Sequence, residues 1–165
     1  MKSKRVTFLG LAIALAMIFS FVESQIPAFV AIPGIKIGLP NLVIVFLLYR
    51  IGAKEAVTVS IVRIILISML FGNLQTLSFS VAGAVLSLLS MILLKKTGWF
   101  SALAVSIVGG IFHNVGQIIA ACLWTATPEV AFYLPVLLVS GTVAGSVIGV
   151  ISGLIVKKSE EWRFL

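Results

Sequence analysis

Long apolar runs separated by short polar breaks set the pattern of this chain. Several runs approach the roughly 20 residues that an α-helix needs to cross a bilayer core. They predict helices over residues 6–22, 53–71, 74–94, 102–124 and 132–156. Between the first two lies ESQIPAFVAIPGIKIGLPN, residues 23–41, whose prolines and glycines do not suit a regular helix. The apolar piece after it, residues 41–49, is short. Either a second helix starts earlier, near Ile35, or this piece is a partial span packed against protein. The expected fold is all-α, a six-helix polytopic membrane bundle forming one domain over residues 1–165.

Charge turns this pattern into a topology. Basic clusters fall at Lys2/Lys4/Arg5, Arg50/Lys54, Lys95/Lys96 and Lys157/Lys158/Arg163, with an even number of crossings between each pair. The positive-inside rule then puts all four clusters, and both termini, on the cytoplasmic side of the cell membrane. FGNLQT and TATPEVAFYLP on the far side contain no Lys or Arg, so Lys36 is the exception there. The run from Val6 to Val22 is long for a signal core, and FSFVESQ lacks a small-x-small cleavage site. It reads as a retained helix.

Composition agrees with a membrane protein. The chain is 61% hydrophobic and 10% charged, with mean hydropathy +1.24, whereas soluble domains average about 45–50% apolar and about 25% charged. The net charge of +7 sits beside apolar spans without interleaved aromatics, which points to anionic lipid headgroups and away from nucleic acid. Cys122 is the single cysteine, so an intramolecular disulfide is excluded.

Polar residues inside the spans are the functional candidates. Arg63 lies near the middle of the third predicted helix. It is either half of a buried ion pair, with Glu23 or Glu55, or a fixed positive charge for a substrate carboxylate or phosphate. Glu55 suits the start of that helix, where it complements the dipole. FHNVGQ places His113 and Gln117 one turn apart on a face shared with Gly109 and Gly110, with Asn114 beside it. These side chains could tie helices together or read a ligand's polar groups. The segment carrying Glu23, Gln25, Lys36 and Asn41 is too apolar for a solvated connector and suits an irregular lid over an outward-opening cavity.

Gly141, Gly145, Gly149 and Gly153 recur every fourth residue and form a smooth ridge for close helix packing, within the chain or against another subunit. Ala12 and Ala16 form an A-x-x-x-A pair in the first helix. The chain has no aspartate, no paired carboxylates, no nucleophile triad and no phosphate-binding loop, so it reads as a binder or conduit and not an enzyme. One histidine and one cysteine are too few for a metal site, and no cofactor is expected.

Taken together, ESQIP, PGIKIGLPN, the central Arg63 and FHNVGQ resemble the heptaprenyl diphosphate synthase component I family, also called the Gx transporter family. That family is similar in turn to the S components of energy-coupling factor transporters, six-helix proteins that bind a micronutrient from outside. The resemblance implies a T component and two cytoplasmic ATPases as partners, with Ala12 and Ala16 as the docking motif. The family's older name implies instead a soluble prenyltransferase partner. Without aspartate the chain cannot supply the aspartate-rich magnesium site expected of a prenyl diphosphate synthase, so transport is the preferred reading. Arg63 would supply charge in that reading. His113, Asn114, Gln117, Asn41 and Glu23 would surround the substrate, and Lys36 would guard the entrance.

Overall fold

A computed structural model describes residues 2–25 and 37–159. The helices are α1 (Lys2–Gln25), α2 (Leu39–Arg50), α3 (Ala53–Phe71), α4 (Leu74–Thr97), α5 (Ala102–Thr125) and α6 (Leu134–Ser159). A 3₁₀ segment, Pro128–Tyr133, precedes α6 where the apolar pattern predicts helix from 132. No strand occurs among the described residues. By length and composition, 4–25, 74–97, 102–125 and 128–159 can each cross a membrane. The protein is an all-α polytopic membrane bundle.

α2 is the partial span. Its 12 residues rise only about 18 Å, well short of a hydrocarbon core of about 30 Å. Val43 through Leu48 are all buried, packed by α1, α3 and α6. A helix apolar on every side belongs in an interior. Its start is set by Gly38, whose φ of 79° lies in the left-handed region that glycine adopts without a Cβ penalty, and by Pro40 in the first turn.

Among the described residues the basic clusters lie at one end of the bundle, and side chains join the helix termini there. Arg5 on α1 pairs with Glu55 at the start of α3. Arg50 donates to the Ser159 carbonyl at 2.9 Å, joining the ends of α2 and α6. Lys95 on α4 donates to the Leu48 carbonyl and lies 5.3 Å from the centre of the Tyr49 ring. Cations on helix C-terminal carbonyls are favourable twice over, as donors and against the dipole. At the opposite end Trp124 donates to Ser78 at 2.6 Å, joining α5 to α4.

Glycine determines how α4, α5 and α6 pack. A Cβ on Gly110 would lie 2.5 Å from the Gly141 carbonyl oxygen, and one on Gly145 would lie 2.7 Å from Ile107 Cα. The α6 ridge therefore serves internal packing, through Gly141, Gly145 and Gly149, while Gly153 meets only the Ala102 methyl at 3.9 Å.

Ala12 and Ala16, the pair expected to dock a partner, pack inside the chain. They are 7% and 0% exposed and belong to the chain's own core beside α2. Small residues on α1 let α2 and α3 approach.

α4 opens with a reciprocal cap. Asn73 Oδ1 accepts from the Thr76 amide at 2.8 Å, and the Asn73 amide donates to Thr76 Oγ1 at 2.9 Å. Asn73→Ala should cost about 1 kcal/mol, visible as a lower midpoint of thermal unfolding in detergent. An unchanged midpoint would mean that packing alone sets the α4 start.

Candidate functional site

The short α2 leaves the other half of the bundle hollow. A cavity of about 580 Å³ lies beside its N-terminal half, lined by Asn41 and Val45 of α2 and by residues of α1, α3, α4, α5 and α6. This volume falls in the usual range for small-molecule sites, about 300–1,000 Å³. Much of its wall is apolar, with Val45, Ile67, Met91, Val147 and Ile148 contributing.

Five of the residues expected at the site line this cavity: Glu23, Asn41, Arg63, His113 and Asn114. Residues separated by up to 91 positions thus share one chamber. Gln117 is buried on α5 but is not part of the lining, and its Oε1 has no hydrogen-bond partner among the described residues. Lys36 and most of the expected lid, residues 26–36, lie outside the described residues.

Arg63 reaches neither of the carboxylates that sequence offered as partners through an ion pair. Its Nη1 donates to Ser20 Oγ at 2.9 Å, and Nε has no partner among the described residues. Glu55 is taken by Arg5. Glu23 Oε1 instead accepts from the Gly38 amide at the start of α2, an arrangement favoured by the α2 dipole. A guanidinium at mid-span costs about 2.5–3.5 kcal/mol on insertion scales, and one neutral hydroxyl offsets only part of that.

The α5 constellation divides its tasks. The His113 ring lies against Gly83 of α4, where a Cβ would come within 2.8 Å of Cε1. Asn114 Nδ2 donates to the Leu137 carbonyl at 2.6 Å and lies 3.4 Å from Ser140 Oγ. Asn114 therefore joins α5 to α6 while still forming part of the wall. Both readings drawn from sequence, helix tie and cavity group, meet in this one residue.

Sequence reasoning passed over the small polar residues. Thr76, Ser80 and Ser87 of α4 all line the cavity, and Gly83, under His113, falls on the same stripe. The signal was available, because positions 76, 80, 83 and 87 follow the helical period and share one face. Ser20 was likewise legible as the residue one turn before Glu23 on α1. Among the described residues no three His, Cys, Asp or Glu side chains gather in a manner that could hold a metal ion.

A helical bundle with a half-length inner helix and a mixed polar and apolar chamber defines the class: an integral membrane protein with an internal ligand-sized site. The family model for heptaprenyl diphosphate synthase component I matches residues 12–155, and the chain belongs to that family. No curated protein and no solved structure matches the chain.

Proposed function

We propose that this protein is a non-catalytic, ligand-binding membrane subunit that serves a partner holding the catalytic or energy-supplying machinery. The observation that carries this reading is the guanidinium of Arg63, which lines a chamber of about 580 Å³ with one hydrogen bond to a neutral hydroxyl. Such a group favours a small, partly apolar molecule with a carboxylate or phosphate. The absence of aspartate and of any phosphate-binding loop argues against chemistry in this chain.

The family description favours the partner being the catalytic prenyltransferase of a heptaprenyl diphosphate synthase, with this chain as its membrane component. A second reading is an importer subunit of the energy-coupling factor type. It is supported by the cavity reaching the ends of α1 and α3 that lie away from the basic clusters, at Glu23 and Phe71, the side that the positive-inside rule would make the outer one. In both readings the protein resides in the cell membrane.

Gentle extraction followed by mass spectrometry of bound proteins and small molecules separates the two. A soluble aspartate-rich prenyltransferase in stoichiometric amount supports the synthase reading, and a T component with ATPases supports the importer. Recovery of the chain with neither partner and with an empty cavity would overturn the subunit reading.

A further inference from the structure

We infer that the cavity takes a zwitterion: a compact amphipathic molecule bearing one anionic and one cationic group. This rests on the ligand-binding reading above and narrows it from any anion to a dipolar one. Glu23 and Arg63 both line the chamber, yet among the described residues the only ion pair is Arg5–Glu55. Opposite charges buried for stability alone gain most when they touch, because separated charges lose hydration without recovering the attraction. Here each has its own partner and the two form no ion pair.

The anchors set the spacing. Ser20 holds the guanidinium through Nη1, and the Gly38 amide holds the carboxylate through Oε1. Ser20 and Glu23 are three residues apart on one face of α1, a rise of about 4.5 Å. Their points of attachment to α1 are therefore roughly one turn apart. The remaining guanidinium donors suit a carboxylate, and Glu23 Oε2 suits an ammonium.

Formal charge of the described lining favours a ligand of low net charge. Among the described residues the lining contributes one guanidinium and one carboxylate, close to zero in sum, with Lys36 outside them. A prenyl diphosphate would bring several negative charges beside Glu23 against a single arginine.

The test uses the full chain in lipid nanodiscs and four radiolabelled probes, with binding to empty nanodiscs subtracted. Octanoate is an anion, octylamine a cation and 2-aminooctanoate the zwitterion on the same carbon chain; geranyl diphosphate is the multiply charged comparison. The wild-type protein should bind 2-aminooctanoate roughly tenfold more tightly than either singly charged probe. Glu23→Gln should erase the advantage over octanoate, and Arg63→Gln the advantage over octylamine. Octanoate or geranyl diphosphate binding at least as tightly as 2-aminooctanoate overturns the zwitterion while leaving a ligand-binding cavity in place. No binding of any probe overturns both. The wild-type ranking requires no variant, so a variant that fails to fold does not remove the test.

Discussion

Gly116→Ala should destabilise the bundle more than any other single methyl addition of its kind on α5. A Cβ there would press on the Ala82 carbonyl oxygen and lie 2.8 Å from Gly83 Cα, so backbone would have to move. Overpacking of this sort costs about 1–3 kcal/mol, and the contacts are backbone atoms with no rotamer to escape into. The displacement would also reach Gly83, the seat of the His113 ring, so ligand retention should fall with stability. Gly10→Ala supplies the comparison, because a Cβ there meets nothing within 4 Å and alanine favours helix by up to about 1 kcal/mol. Thermal unfolding of both variants in the same detergent checks the pair. Equal midpoints would show that α4 and α5 do not approach through Gly116.

Arg63→Leu is expected to separate function from stability. The ligand-free protein should become more stable, by about 2–3 kcal/mol, because a charge held by one hydroxyl at mid-span is replaced by an apolar side chain. Binding of a ligand with an anionic group should fall roughly a hundredfold, the loss of a charge-assisted hydrogen bond of about 1.5–3 kcal/mol. Opposite signs for the two effects would mark Arg63 as a binding group kept at a cost in stability. A drop in the unfolding midpoint with unchanged binding would instead make the Arg63–Ser20 contact a structural tie.

The helices were readable because their signal is local. Residues 53–71 and the start at 74 follow directly from apolar run length and the breaks around it, and the observed spans coincide with them. The ends drifted where polar residues continue a helix, as at Lys2 and at Ser24 and Gln25 of α1. For α2 the sequence left two choices, and packing selected the short one, with Gly38 as its boundary.

The site was legible in kind and only partly in detail. Arg63, His113, Asn114, Asn41 and Glu23 stood out because polar groups are costly in an apolar span, and all five reach the cavity. Gln117 shares a helix face with His113 by spacing but misses the lining, because one further turn takes it past the cavity. Ser20 went unnoticed because a serine can satisfy itself on its own helix, and indeed its hydroxyl also donates to the Ala16 carbonyl at 2.9 Å.

Run length and charge placement alone determined the membrane class, the number of helices and the gathering of basic residues at one end, since each depends on neighbours within a turn or two. Tertiary structure alone decided that Ala12 and Ala16 face the core, that the glycine ridge on α6 meets α5, and that Arg63 answers to a serine 43 residues away. It also made the chamber, because a void exists only where a helix too short to fill the bundle is surrounded by others long enough to enclose it.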